Sequence, residues 1–207
     1  MNILCLNTAF AEAHIALSYN GKNFYKTIDA NSKHSENLLV EIEKIFAQAG
    51  AKNTSEFLNE IDALAVVVGP GSFTGLRISI ATAKAILSVY EKIKPIAIDS
   101  LTLIAHESKK EDKTPILDAL SGLYFVSSFK ANKEVEKPKM VSTNEISSLK
   151  NLVSIENLPF ETEIVVLSPA SLLEVATKKA EEGKFTTEKE LVPLYIRPSQ
   201  AEANLKN

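Results

Sequence analysis

Residues Val66-Val67-Val68-Gly69-Pro70-Gly71-Ser72-Phe73-Thr74-Gly75-Leu76-Arg77 run from a β-branched stretch through a glycine-rich loop into a helical pattern. A strand, such a loop and a helix N-terminus in that order attract anions through free backbone N–H groups. The residues that usually complete a phosphate site are missing. No Lys-Ser or Lys-Thr follows Gly75, and the G-x-G-x-x-G spacing is not met. Nor is the loop a nucleophile elbow, because Ser72 directly follows Gly71 where G-x-S-x-G needs one residue between them. Ser72 and Thr74 are therefore expected to cap the following helix, and Gly75 to let it pack closely.

Other chemistry-bearing residues are sparse. The histidines are His14, His34 and His106, and no two are spaced i, i+4 as paired zinc ligands on a helix would be. His34 precedes Ser35 and Glu36 at the start of a helical pattern, where Ser32 or Ser35 is expected to cap and Glu36 to favour the positive helix end. Cys5 is the one cysteine and lies in the apolar run Ile3–Leu6. It is expected to be a buried small hydrophobe and not a thiolate, which needs an exposed, electropositive setting.

These residues must be positioned by a regular α/β framework. Short apolar runs at Met1–Asn7, Ala13–Ser18 and Phe24–Ile28 predict three antiparallel strands, with Asn20-Gly21 as a hairpin turn. Leu38, Leu39, Ile42, Ile45, Phe46 and Ala49 follow helical spacing, closed by Gly50. Ala63–Val68 predicts a strand buried on both faces. Ile78, Ala81, Ala85, Ile86 and Val89 mark a second helix, Pro95–Ile98 a strand, and Ser100 the cap of a helix to about Glu107. The order βββ-α-β-α-β-α is that of a ribonuclease H-like half.

Beyond the charged segment Glu107–Lys113 the pattern repeats in shorter form. Strands are predicted at Pro115–Ala119, Tyr124–Phe129 and Lys139–Ser142, with Ser121-Gly122 as a turn. A short helix over Thr143–Lys150, a strand at Glu163–Leu167 and a helix from Ser168-Pro169 to Gly183 follow. The expected fold class is α/β: two ribonuclease H-like halves of the actin/Hsp70/sugar-kinase superfold, the second reduced. The expected domains are 1–107 and a smaller 108–207 whose last residues pack back on the first. Self-similarity of this kind speaks to fold, not function.

An active member of that superfold holds ATP between its halves. The first turn here reads Asn7-Thr8-Ala9-Phe10-Ala11-Glu12, with no glycine and with Asn where a metal-binding acid is needed. The second turn, Asp118-Ala119-Leu120-Ser121-Gly122, keeps an Asp and a Gly, and Asp at a strand end commonly forms a turn. No catalytic residue, cofactor or metal ligand is therefore assigned.

The 207 residues carry a net charge of -3, with 45% hydrophobic and 24% charged residues, which suits a globular chain. Tight unaided binding of nucleic acid would call for a basic protein. Four lysines between Lys130 and Lys139 are interrupted by Glu134 and Glu136 and read as a solvated hairpin or loop. No basic region followed by a long apolar run opens the sequence, and no window is apolar enough for a membrane span. A cytoplasmic location is expected.

Gly69-Pro70-Gly71-Ser72-Phe73-Thr74-Gly75-Leu76-Arg77-Ile78 resembles the hallmark of the TsaB (YeaZ) family. His34-Ser35-Glu36-Asn37-Leu38-Leu39 resembles the family's first-helix entry, and Pro193-Leu194-Tyr195-Ile196-Arg197 its C-terminal Pro-x-Tyr-x-Arg signature. The resemblance covers the whole chain and is densest in the first half. Two departures stand out: Asn7-Thr8 where the family usually has Asp-Thr, and Asp118-Ala119-Leu120 where it often has Asp-Ala-Arg.

The resemblance implies a non-catalytic subunit of the bacterial machinery that adds threonylcarbamoyl to adenosine in tRNA. It implies a heterodimer with the catalytic TsaD homologue, engagement of the TsaE ATPase, pairing with itself as an alternative, and tRNA contact only through the complex. Family pairing runs through helices of the N-terminal half. The residues that the resemblance assigns to motif and interface are His34, Glu36, Gly69, Gly71, Ser72, Thr74, Gly75, Arg77, Ser79, Thr82 and Lys84. Arg77, Ser79, Thr82 and Lys84 are expected to face outward or towards the partner, and Ala81 and Ala85 to pack inside the subunit. The competing readings are a glycoprotease-like peptidase and an autonomous ATPase of the superfold.

Overall fold

The computed structural model describes residues 1–31, 33–194 and 196. The chain forms two compact units. One comprises Met1–Asp99 with Ser168–Pro193, and the other is built on Ser100–Leu167.

In the first unit β1 (Ile3–Asn7), β2 (Ala13–Tyr19) and β3 (Lys22–Ile28) form an antiparallel meander. The Asn20-Gly21 turn holds both residues at positive φ, 49° and 75°, as a two-residue type I′ hairpin requires. Helix α1 (His34–Gln48) and the short α2 (Thr54–Leu58) lead to β4 (Ala63–Gly69), then α3 (Phe73–Val89) and β5 (Lys94–Asp99). The strand order is β3-β2-β1-β4-β5, with β4 parallel to β1 and β5 parallel to β4. Every residue of β1 and β4 is buried, as in strands covered on both faces. Phe46 of α1 stacks at 4.6 Å on Phe57 of α2, which meets Tyr19 of β2 at 4.4 Å. Those rings seal the base of the unit.

The second unit begins with α4 (Ser100–Glu107), followed by β6 (Thr114–Asp118), β7 (Leu123–Lys130), β8 (Lys133–Ser142), α5 (Thr143–Ile146), β9 (Leu152–Ser154) and β10 (Glu163–Ile164). Its order is β8-β7-β6-β9-β10, with β6, β7 and β8 antiparallel and β9 and β10 added in parallel. That is the first sheet's plan repeated: a meander whose first strand also pairs with a later parallel strand. Ile116, Tyr124, Val126, Val141, Ile146 and Leu152 form its core.

The chain then enters α6 (Pro169–Glu181), which packs on β1, β2, β3 and β5 of the first unit. Ser168 caps it by accepting the Ser171 N–H at 3.1 Å, with Pro169 in the first turn. A mixed α/β architecture in two similar halves thus stands as expected, but the second sheet has five strands where four were predicted.

Three local expectations are corrected. Strand β9 was not foreseen, because three residues are too few to show a period. Helix α1 is not capped by Ser35, which is already its second residue; Lys33 is the N-cap, with no side-chain cap bond, and Ser32 lies outside the described residues. Ser100 does not precede α4 but is its first residue, since β5 runs into α4 without a loop.

Candidate functional site

The glycine loop sits where β4 hands over to α3, beside the end of β1. Ser72 is the N-cap of α3, its Oγ accepting the Gly75 N–H at 3.2 Å. Ser72 N–H in turn donates to the Ala9 carbonyl at 2.8 Å. Two of the amides that an anion would need are thus bonded within the chain. A Cβ on Gly71 would lie 2.6 Å from the Ala9 carbonyl oxygen, and one on Gly75 only 1.9 Å from that of Thr8. Gly69 has a φ of 110°, and a Cβ there would meet Leu76 at 2.9 Å. The glycines are therefore required by the close approach of this chain's own backbone. These residues do not fit a nucleotide phosphate at the loop, because the Thr8-Ala9 backbone fills the cradle.

Thr8 is fully buried, and its hydroxyl reaches α3. Oγ1 donates to the Gly75 carbonyl at 2.5 Å and accepts the Ser79 N–H at 3.2 Å. Ser79 is fully buried beneath this contact. The expectation that Ser79 faces outward is thus wrong. It lies four residues after Gly75, one turn along the same face, and that face is turned to β1. Ala81 and Ala85, expected inside, are exposed, while Leu76, Ile80, Ala83 and Leu87 carry the buried stripe. Asn7 is fully buried, its Oδ1 accepting the Ala9 N–H at 3.0 Å, so it shapes the turn.

The outward flank of α3 carries Phe73, Thr74, Arg77, Ala81, Ala85 and Val89, with Thr82 and Lys84 half-buried at its edges. Phe73 is 53% exposed and Val89 70% exposed. The neighbouring helix α1 packs beside α3 and shows Glu36, Leu39, Val40 and Glu43 to solvent. Glu36 pairs with Lys33 at 2.9 Å, and half-buried His34 opens the helix. The structure thus gathers Gly71, Ser72, Gly75 and Ser79 around the end of β1, and leaves Arg77 on the open flank of α3. Thr8, Phe73 and Leu39 were missed by sequence reasoning. The first acts over a separation of 67 residues, Leu39 reads as ordinary apolar periodicity, and Phe73 reads only as part of the glycine motif.

Behind α1, Glu41 is held by Lys44 at 2.8 Å and by Lys26 of β3 at 3.3 Å. The Lys44 bond, then the Lys26 bond, hold its carboxyl below the ordinary carboxylate range against the opposing effect of burial. Burial pushes the Cys5 thiol far above its ordinary value. In the second unit Asp118 accepts the Leu120 N–H at 2.8 Å, closing a turn in which Leu120, Ser121 and Gly122 all have positive φ. Among the described residues no group of three or more His, Cys, Asp or Glu could hold a metal ion, and no helix is long and apolar enough to cross a membrane. Of the C-terminal signature, Tyr195 and Arg197 lie outside the described residues.

Residues 27–157 match the family model described as TsaD, tRNA N6-adenosine threonylcarbamoyltransferase. The tRNA threonylcarbamoyladenosine biosynthesis protein TsaB of Haemophilus influenzae is 31% identical over 60% of this chain, and the match spans 52% of that protein's length. The protein of the same name from Escherichia coli is 26% identical over 97% of this chain and 96% of its own. Among solved structures, YeaZ from Pseudomonas aeruginosa superposes with a TM-score of 0.74 at 17% identity, covering 94% of this chain and 99% of that one. A second Pseudomonas aeruginosa structure, titled as similar to peptidase YEAZ, gives 0.75 at 18% identity over 95% of this chain and 99% of that one. These two likenesses bear on the fold alone.

Proposed function

This chain belongs to the TsaB (YeaZ) family, and from that membership we propose that it is a non-catalytic subunit of the machinery that makes threonylcarbamoyladenosine in tRNA. In this reading it pairs with the catalytic TsaD homologue and supports engagement of a TsaE-like ATPase, and tRNA meets it only through the complex. The observation that carries the non-catalytic part is the filled glycine loop. Carbons only 1.9 and 2.6 Å from the Thr8 and Ala9 carbonyls would replace the hydrogens of Gly75 and Gly71, so the loop serves packing and not phosphate. The partner surface in this reading is the exposed flank of α3 with α1, where Leu39, Phe73 and Val89 stand out of the fold. Isolated apolar side chains are ordinary on a surface; several on two adjacent helices suit a helical partner.

The test is chromatography with light scattering on this chain, alone and mixed with the TsaD homologue of its own organism. The expected result is a one-to-one complex, lost when Arg77→Glu and Leu39→Glu are combined. Threonylcarbamoyl transfer is expected only when the partners are present. Two unshifted peaks, with or without the TsaE-like ATPase and ATP, would overturn the proposal, as would transfer by this chain alone.

A further inference from the structure

In a regular α-helix the carbonyl of residue 75 and the amide of residue 79 would bond each other. Here the Thr8 hydroxyl, one residue beyond β1, reaches those same two groups, donating to the Gly75 carbonyl at 2.5 Å and accepting the Ser79 N–H at 3.2 Å. The helix runs unbroken from Phe73 to Val89, so the hydroxyl adds a cross-chain tie to the backbone of its first two turns. The notch that receives it is built from the smallest residues available. Gly75 has no Cβ to strike the Thr8 carbonyl, and Ser79 is fully buried beneath the contact. Ser72 N–H, held by the Ala9 carbonyl at 2.8 Å, ties the start of the same helix to the same turn.

We infer that Thr8 is a positioning residue for the partner surface, its hydroxyl fixing the first two turns of α3 and hence where Phe73 and Arg77 are presented. The inference rests on the reading of α3 as the partner helix. Its physical logic is that both bonds are buried and both end on backbone atoms, so their loss moves the helix and not merely a side chain. Phe73 lies two residues before Gly75 and Arg77 two after it, so both stand within one turn of the bridged pair.

The test compares Thr8→Ala, which removes the bridge, with Thr8→Ser, which keeps the hydroxyl. Ile61→Val, a buried change elsewhere in the unit, controls for stability alone. Affinity for the TsaD homologue is measured by calorimetry well below each thermal midpoint, and amide exchange of Ser79 in the free chain. Thr8→Ala is expected to bind about tenfold more weakly and to exchange Ser79 faster. Thr8→Ser should restore both, while Ile61→Val leaves affinity unchanged. Affinity within twofold of the parent chain for Thr8→Ala, or equal losses for Thr8→Ala and Ile61→Val, would overturn the inference. Arg77→Glu separates the two readings. If it binds like the parent chain, the partner surface is elsewhere and both readings fall. If it weakens binding while Thr8→Ala does not, this inference alone falls.

Discussion

The Arg77 guanidinium carbon lies 3.7 Å from the centre of the Phe73 ring, one turn earlier on α3. The spacing i, i+4 places the two side chains on one flank, and the cation meets the electron-rich face of the ring. The pair holds an exposed aromatic ring and a charge in one orientation on the open side of the helix. It couples the glycine motif to the surface: the loop sets the helix start, and the first turn displays the pair.

Because that pair is exposed, it contributes little to folding. Arg77→Ala is expected to lower stability by less than about 1 kcal/mol. Its effect on binding the TsaD homologue should be larger, at least about tenfold in affinity. Urea unfolding and titration calorimetry on the same variant separate the two.

Gly75→Ala should be among the most damaging small changes in the chain. The new carbon would lie 1.9 Å from a backbone oxygen that no rotamer change can move. A loss of at least about 3 kcal/mol is expected, at the upper end of overpacking costs. Gly50→Ala is the matched control, since its φ is 98° but nothing lies within 4 Å. It should cost only the conformational strain, about 1 kcal/mol. Denaturant midpoints of the two variants test the difference.

Cys5 is buried, and burial raises its thiol far above neutrality. The folded chain should therefore resist iodoacetamide near pH 8, and labelling should appear only as denaturant unfolds it. Mass spectrometry across a urea series reads this directly. Fast labelling of the native chain would contradict the packing of β1.

Glu41 gives α1 an acid-sensitive tie to β3. Its carboxyl is held below the ordinary 4.5 by Lys44 first and Lys26 second. The folded state thus binds the proton less tightly than the unfolded one. The stabilisation is fully present above the ordinary value and is lost as pH falls through the folded-state value. Both lysines are partly exposed, so the contribution is expected to be below about 1 kcal/mol. The difference in stability between parent and Glu41→Gln should shrink as pH falls from 6 towards about 3, as fluorescence-detected urea unfolding at each pH would register.

Much of the framework was legible because its signals are local. Asn20-Gly21 announces a hairpin through the positive φ both residues accept, and the unbroken run Ala63–Val68 announces a strand without a solvent face. The duplicated plan was visible in the order of apolar runs, though β9 escaped as too short to show a period. The turn at Ala131 and Asn132 carries positive φ, 48° and 58°, without a glycine to advertise it. The filled loop was half legible: missing lysine and missing spacing excluded a common phosphate site. What filled the loop was not readable, since the Thr8 and Ala9 contacts cross more than sixty residues.

Sequence by itself determined the longer elements, the buried thiol, the cap at Ser72 and the family, because each is carried by neighbouring residues or by a contiguous motif. Tertiary structure alone decided which face of α3 is inward. Ser79 and Ala81 are both small, and composition cannot rank them. Ser79 is buried on the face of α3 where the Thr8 hydroxyl, one residue beyond β1, accepts its N–H, while Ala81 and Ala85 are left to solvent. A helix has one buried stripe, and only its docking against a sheet chooses which small residues belong to it.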